Sequence, residues 1–427
     1  MDLLIGVIML LLFLAVVVLI VRGESPIISL LLLAIAWAVL ANVPGQRILS
    51  DVIEKGGTQY GSTIVIIVFG AWFGQTLVKT GIAENIIRGA IELAGDRPII
   101  VAWVVSIVTG LLFTSIYGVG AAIAIGVIAL PIMMSMGIPP YVAAPAFTMA
   151  IGAGNYLNLI EFNIFVPMFQ GIVYQDLFVF GLTGFAVYVL AACCMSFYQL
   201  KIAGGRKYSS VTVAPTTAAR VKIPWFAYLA PAVPVFMVLV FKWPMIASFM
   251  LGTVYALVAT QFGTRSTRQS VDLFHKAFYD AFPDIATIAA LWIICGMLII
   301  AGQMPEVQAV LSPVFTPFLP NTPLSLSIFF ALLAPMAIYR GPFSVVGTGA
   351  ALLAIFTSAG ALSPIYLYAV WRGALCLQGS QDPTNSWTLW TIGYTKITHG
   401  QFLRTALPWG WAMVAIMAFV AYIMIPH

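Results

Sequence analysis

Polar, glycine-rich residues interrupt the apolar stretches of this chain at four places. Residues 112–122 read LFTSIYGVGAA, and residues 335–344 read PMAIYRGPFS. Each is followed by an apolar run, a proline and a second interruption, GAGNYLN at 152–158 and GSQDPTNS at 379–386. Within a bilayer, non-helical backbone is tolerated only where protein or an aqueous cavity satisfies its N–H and C=O groups. Two such pairs, one in each half, are typical of a secondary transporter with a mid-membrane site.

The composition is that of a membrane protein. Of 427 residues, 62% are hydrophobic and 8% are charged, with a mean hydropathy of +1.04. Soluble domains carry about 25% charged residues. Apolar stretches of about 20 residues, enough to cross roughly 30 Å of hydrocarbon, recur along the chain. We therefore expect an all-α polytopic membrane protein surrounded by the lipid bilayer, with residues 3–21 as a span rather than a signal peptide.

Several functional classes are disfavoured. The net charge of +5 comes from basic residues in short loops, which does not indicate a nucleic-acid partner. With three histidines and no Cys/His ligand spacing, the sequence predicts neither a metal centre nor a cofactor. The carboxylates lack a nucleophile–base partner, so we do not expect an enzyme. The four cysteines lie in apolar runs and are expected to be small buried hydrophobes: Cys193, Cys194, Cys295 and Cys376.

The second half of the chain is similar to the first. Four landmarks recur at offsets between 221 and 224, pairing Gly74, Gly81, Tyr117 and Pro140 with Gly296, Gly302, Tyr339 and Pro364. A near-constant offset predicts an internal repeat. We expect one repeat at 1–201, a basic cytoplasmic linker at 202–223 and a second repeat at 224–427.

Each repeat is expected to contain spans, a re-entrant hairpin and a broken helix. The first has spans at 3–21, 26–44, 61–80 and 176–200, a hairpin at about 98–135 and a broken helix at 140–170. The second has spans at 224–241, 244–262, 281–301 and 404–425, a hairpin at about 323–360 and a broken helix at 364–394. Segments 46–60 and 82–95 are amphipathic and are expected at the membrane interface. Five crossings per repeat make the two repeats inverted, an arrangement that supports alternating access.

The basic residues predict the orientation, because cytoplasmic loops are enriched in Lys and Arg. With both termini periplasmic, opposite the linker, the outside receives only Arg47, Lys55 and Lys242, while Arg340 and Arg372 lie within the membrane. The cytoplasmic side receives the other fourteen: Arg22, Lys79, Arg88, Arg97, Lys201, Arg206, Lys207, Arg220, Lys222, Arg265, Arg268, Lys276, Lys396 and Arg404. The expected location is the bacterial inner membrane.

The interruptions are the candidate substrate site, because they expose backbone N–H groups to anions and carbonyl groups to cations. Small residues in such places also serve simply to let helices pack closely. The candidates in the first half are Ser115, Tyr117, Gly118, Gly154, Asn155 and Asn158. Those in the second half are Arg340, Gly341, Ser344, Ser380, Gln381, Thr384 and Asn385.

Charges within the membrane are expensive and are functional candidates by default. The guanidinium of Arg340 can pair bidentately with a substrate carboxylate, or form a structural pair with Asp382. For Arg372 three roles stay open: contact with the substrate, a structural pair with Asp382, and packing. Glu161 and Asp382 are candidates for the coupling cation, although Asp382 before Pro383 is also a typical helix cap. If the cation is Na⁺, its candidate ligands are Asn155, Asn158 and Asp382. Asp280 and Asp284 are expected to be solvated caps of the 281–301 span.

The chain resembles the gluconate permease family, within the wider ion transporter superfamily of organic-anion symporters. The resemblance is carried by 69–74 (FGAWFG) with Thr80-Gly81, Leu130-Pro131-Ile132, Gln381-Asp382-Pro383 to Trp387, and 398–405 (THGQFLRT). It implies H⁺- or Na⁺-coupled symport of a small organic anion by an elevator mechanism, in a homodimer. The chain departs from the gluconate permeases at Gly118 and at 152–155, so a sugar acid, a dicarboxylate and a tricarboxylate are all open.

Two alternatives to a self-sufficient symporter follow from the same pattern. One is the large membrane subunit of a secondary transporter that receives substrate from a separate binding protein (TRAP-like). The other is a channel, since discontinuous helices also form filters, although two hairpins entering from opposite faces favour a carrier.

Overall fold

The helices begin where the sequence supplies prolines and caps. The computed structural model describes residues 2–169, 171–202, 223–261, 266–315, 317, 319–359 and 362–426, so the predicted linker 202–223 lies almost wholly outside the described residues. Within them the chain is helical without a strand, which confirms an all-α protein. Six helical runs are long and apolar enough to cross a membrane.

The described residues of the first half form nine α-helices of seven or more residues. They are α1 (Asp2–Val21), α2 (Pro26–Leu40), α3 (Gly61–Lys79), α4 (Ile82–Ala94), α5 (Pro98–Phe113), α6 (Val119–Ser135), α7 (Pro140–Asn155), α8 (Leu159–Phe165) and α9 (Phe178–Phe197). Helical turns over 45–58 precede α3 and extend it into one long run, Gly45–Lys79.

The described residues of the second half also form nine α-helices. They are α10 (Ala232–Val240), α11 (Met245–Gln261), α12 (Thr267–Gln303), α13 (Pro305–Phe315), α14 (Pro323–Leu333), α15 (Gly349–Ala359), α16 (Pro364–Gln381), α17 (Ser386–Thr395) and α18 (His399–Met424). A 3-10 turn, Trp225–Leu229, precedes α10, and another, Ala334–Arg340, follows α14. Pro140 and Pro364 each occupy the first turn of a helix, where a missing N–H costs nothing.

Two spans differ from the sequence-based bounds. Residues 224–241 are a 3-10 turn followed by a short helix rather than one span. The span expected at 281–301 is the second part of α12, which has 37 residues and begins at Ser266 with a capping box closed by Gln269. The long run Gly45–Lys79 in the first half has its counterpart in α12, at an offset of 222 between their first residues.

The packing of the helices follows the repeat. Helix α3 packs against its counterpart α12, and α2 packs against α12 as α11 packs against α3. Among the other helices, α7 contacts its counterpart α16, and α9 contacts its counterpart α18. The helices therefore form two groups, one centred on α3 and α12, the other built from the hairpins, the broken helices and the last helix of each half. We call these the α3/α12 group and the hairpin group.

Four non-helical segments lie within the hairpin group, close to the predicted interruptions. The first tip is residues 114–118, and the first break is residues 156–158. The second tip is residues 338–348, and the second break is residues 382–385.

The backbone turns sharply at both tips. Gly118 has a φ of +112°, which side chains rarely allow, so the first tip needs a glycine there. At the second tip Tyr339 and Arg340 hold positive φ angles of 56° and 54° without being glycine. Such backbone persists only where surrounding contacts fix it. The contacts come from the amide N of Arg340, which donates to Asp382 Oδ2 at 3.1 Å, and from Thr348 N, which donates to Arg340 O at 3.1 Å.

Where the two groups meet, α3 presents glycine rather than side chains. The side chain of Ile160, in α8, occupies the space that a Cβ of Gly70 would fill. One turn later, a Cβ at Gly74 would lie 3.2 Å from Ile116 Cγ2 and 3.3 Å from the carbonyl oxygen of Tyr117. The first tip therefore rests on bare helix backbone.

Candidate substrate and coupling site

Both tips, the second break and the start of α8 border one internal cavity of about 60 Å³ between the two groups of helices. Five residues of the predicted set line it, namely Tyr117, Gly118, Glu161, Arg340 and Asn385. The other lining residues are Val119, Ile164, Phe165, Asp284, Thr287, Ile288, Leu291, Trp292, Val346, Leu375, Gln378, Gly379, Ser386 and Trp387. The fold thus brings the separate interruptions of the sequence to one place.

Arg340 reaches the cavity with most of its guanidinium uncommitted. Its Nη1 donates to the carbonyl oxygen of Val346 at 3.1 Å. A guanidinium has five N–H donors in a planar fork. No ion pair among the described residues joins Arg340 to Asp382; the contact between them runs through the backbone amide of Arg340. Most of the N–H donors of this guanidinium therefore lie at the cavity wall without a hydrogen-bond partner among the described residues.

Asp382 lies outside the cavity wall and accepts four hydrogen bonds. Its Oδ1 accepts from Thr384 N and Thr384 Oγ1, both at 2.8 Å, and its Oδ2 accepts from Arg340 N at 3.1 Å and Gln378 Nε2 at 3.4 Å. The carboxylate is fully buried. It connects the second break to the second tip. The hydroxyl proton of Thr384 is already used in its hydrogen bond to Asp382.

Arg372 forms a buried ion pair that connects the two broken helices. Its Nη1 lies 3.6 Å from Glu161 Oε2, and its Nη2 donates to the carbonyl oxygen of Asn155. The guanidinium carbon also lies 5.3 Å from the ring centroids of both Tyr156 and Phe165. Asn155 Nδ2 donates to the other oxygen of Glu161 at 3.3 Å. Of these groups only Glu161 and Phe165 border the cavity.

Asn158 holds the first break to the first tip. Its Oδ1 accepts from Ile160 N at 2.8 Å and from Glu161 N at 3.1 Å, which caps α8. Its Nδ2 donates to the carbonyl oxygens of Phe113 at 2.8 Å and Ile116 at 3.0 Å. All the hydrogen-bonding capacity of this amide is committed within the protein.

We expect Asn158→Ala to lower the free energy of unfolding by about 2 kcal/mol, because it removes a helix cap and leaves two buried carbonyl groups without their donor. Thermal unfolding of the purified protein in detergent measures the change. Asn163→Ala, in the same helix, is the matched control and should be nearly neutral. Equal losses for the two variants would contradict the bridging role of Asn158.

The remaining candidates lie behind the cavity wall. Ser115 Oγ donates to the carbonyl oxygen of Pro231, which joins the first tip to the start of α10. Gly154 packs against Phe113, and Gly341 packs against Met336 and Ile338. Ser380 Oγ donates to Cys376 O at 2.6 Å. Of these remaining candidates, Ser344 through its Oγ and Gln381 through both amide atoms have no hydrogen-bond partner among the described residues.

Helix α12 supplies site residues that sequence reasoning missed. Asp284, Thr287, Leu291 and Trp292 line the cavity at helical spacing along one face. The expectation that Asp284 is a solvated cap is wrong, because α12 continues 17 residues before it. Its carboxylate faces the cavity. Trp387 also borders it, with its indole N–H donating to Gly379 O at 2.7 Å.

The fold has a counterpart among solved structures. The YdaH transporter of Alcanivorax borkumensis superposes with a TM-score of 0.64 at 12% identity, over 94% of this chain and 98% of that chain. At this identity the likeness shows a shared fold and no more. It does not favour the gluconate permeases over other transporters. None of the family models matches the sequence, nor does any curated protein.

Proposed function

We propose that this chain is a secondary active transporter that carries a small organic anion, coupled to H⁺ or Na⁺, across the bacterial inner membrane. The observation that carries the proposal is the cavity itself. Two hairpin tips and the second break converge there, with Arg340 in its wall. Discontinuous helices that meet at one site are the structural signature of such carriers.

The cavity chemistry favours a carboxylate. Arg340 offers a planar set of N–H donors, and Arg–carboxylate pairs are frequently bidentate. The nearby carboxylate of Glu161 is paired with Arg372 on its far side, which reduces its repulsion of an anion. Leu291, Trp292 and Trp387 supply an apolar wall for a carbon skeleton, while Gln378 and Asn385 supply amide groups. A small organic acid matches this combination, whether a sugar acid, a dicarboxylate or a tricarboxylate.

The two groups of helices support an elevator mechanism. The tips and breaks belong to the hairpin group, whose members pack on one another through α7 with α16 and α9 with α18. The first tip meets the α3/α12 group across the glycine surface of α3. We propose that the hairpin group moves with the substrate while the α3/α12 group, in a homodimer, stays fixed. The coupling cation binds at or beside the same cavity.

Uptake by the purified chain in proteoliposomes tests this function. Labelled gluconate, succinate, citrate and lactate are offered with imposed pH and Na⁺ gradients applied separately. We expect saturable uptake of one acid, driven by one gradient, together with counterflow, which a channel does not show. Uptake that requires an added binding protein would favour the TRAP-like alternative. Failure to bind or move any of the acids would contradict the proposal.

A further inference from the structure

The carboxylate of Asp284 lies at the contact between the two groups of helices. It belongs to α12, and its Oδ1 accepts from the backbone N–H of Gly120, in the first turn of α6, at 3.1 Å. Its Oδ2 accepts from Gln75 Nε2, on α3, at 2.5 Å. A Cβ on Gly118 would lie 3.4 Å from the Cβ of Asp284. This one side chain therefore connects both central helices to the segment that begins the return arm of the first hairpin.

The other two candidate carboxylates are already neutralised or saturated by the protein. Glu161 has Arg372 beside it, and Asp382 accepts four hydrogen bonds. Each of these arrangements stabilises the ionised form. Asp284 has two donors, borders the cavity, and takes part in no ion pair among the described residues. Of these three candidate carboxylates, Asp284 is the one whose charge the described residues compensate least.

The charged groups around Asp284 are arranged asymmetrically. One helical turn earlier on α12, Asp280 pairs with Lys79 of α3 at 2.5 Å. Arg340 and Glu161 border the same cavity from the second tip and from α8. The start of α6 presents backbone N–H groups and no charged side chain. Asp284 thus lies between the Asp280–Lys79 ion pair on one side and the candidate substrate cavity on the other.

We propose that Asp284 takes up the coupling proton and that the first tip responds to its charge; this rests on the proposed transport function. The proton passes from cavity water to a carboxylate oxygen of Asp284 and returns to water on the other side of the membrane. Neutral Asp284 loses the charge-assisted character of its bonds from Gly120 and Gln75, which are about twice as strong as neutral ones. The contact between α12 and the first hairpin weakens, and the hairpin group is freed to move.

A proton suits this place better than Na⁺. Sodium is a hard cation and needs several oxygen ligands, whereas of the two groups that donate to Asp284 only the side-chain amide of Gln75 can turn to offer an oxygen. The backbone amide of Gly120 cannot offer an oxygen in that position. A proton needs only the lone pair of the carboxylate itself.

The test compares Asp284→Asn with wild type in proteoliposomes. The asparagine keeps an oxygen for Gly120 N–H, and the amide of Gln75 can turn to accept from it, so folding should be retained. We expect pH-gradient-driven accumulation to fall by about tenfold or more, while counterflow without a gradient continues. Asp284→Glu, which restores a titratable carboxyl, should recover driven uptake. Asp280→Asn, the same change one turn away, is the matched control and should keep driven uptake.

Each other outcome counts against the inference. Driven uptake by Asp284→Asn at the wild-type level would overturn it and leave the transport function standing. Loss of counterflow along with driven uptake in Asp284→Asn would assign the residue to structure or substrate binding instead. Wild-type uptake driven only by Na⁺ would also overturn it. Absence of counterflow in the wild type would overturn the proposed function and this inference together.

Discussion

Replacing Arg340 by alanine is expected to raise the Kd for the transported anion by roughly 100-fold, the equivalent of about 3 kcal/mol. The reason is the guanidinium in the cavity wall, whose N–H groups are largely uncommitted apart from one bond to Val346. Removing it leaves a substrate carboxylate without its cationic partner. Binding measured by calorimetry or by competition with a labelled acid reports the change.

Two further variants separate charge from geometry at this position. Arg340→Lys keeps the charge but loses the planar fork, so it should bind with an intermediate affinity. Arg404→Ala removes one exposed arginine from α18 and should leave binding unchanged. The backbone amide of residue 340 still donates to Asp382 in each Arg340 variant, so the second tip should keep its conformation. Wild-type affinity in Arg340→Ala would remove this residue from the site.

Breaking the Arg372–Glu161 pair should have the largest effect on stability. Arg372→Met leaves a buried carboxylate without its cation, and removal of one partner from a buried pair costs about 3–5 kcal/mol. The methionine still fills the space between the rings of Tyr156 and Phe165, so the loss is mainly electrostatic. Thermal unfolding in detergent, together with the yield of folded protein, measures the effect.

The double variant Arg372→Met, Glu161→Gln gives the contrast. With both charges gone, no buried charge is left uncompensated, and most of the lost stability should return. The single variant Glu161→Gln, which leaves Arg372 uncompensated, should be destabilised like Arg372→Met. If the losses of the two single variants simply added in the double variant, the pair would not act as a unit.

The sequence was sufficient to predict the main irregularities of the fold. Clusters of glycine, proline and polar residues in otherwise apolar stretches are typical of interrupted helices in a bilayer, and Pro140 and Pro364 do begin helices. The helices over 98–135, 140–165, 323–359 and 364–395 begin and end within a few residues of the expected bounds, whereas the re-entrant hairpins themselves stay predictions. The predicted order of elements also recurs in the second half, whereas the orientation in the membrane stays a prediction.

The individual roles at the interruptions were harder to predict. Asn158 and Asp382 have the residue types expected of ligands, but the same donors and acceptors also cap helices and bridge loops. In the structure both are committed to such contacts. Which backbone groups need a partner depends on how the segments meet, and a single sequence does not specify that. Arg340 is different. Its backbone N–H bonds to Asp382 and fixes the second tip, while its guanidinium lies separately at the cavity wall.

The position of Asp284 was misjudged for a local reason. Residues 267–280 are more polar than residues 281–301, so hydropathy alone marks only the second part of this helix. Ser266 and Gln269 form a capping box that marks the true start. The offset of 222 that pairs α12 with the run Gly45–Lys79 carries the same information. An aspartate well inside a helix, among apolar residues, would then have been a functional candidate from the sequence.

The bare backbone of α3 at Gly70 and Gly74 has a mechanical meaning. Where two helices pack, the side-chain ridges of one fit into the grooves of the other, and this holds the helices in a small number of fixed registers. Because α3 has no side chains at Gly70 and Gly74, it imposes no such register on the first tip, which packs against it. The first tip can therefore be held in place chiefly by its polar contacts, such as those to Asp284 and Pro231, which form and break individually. The glycine surface allows the first tip to slide over α3, and the hydrogen bonds determine the positions in which it is held.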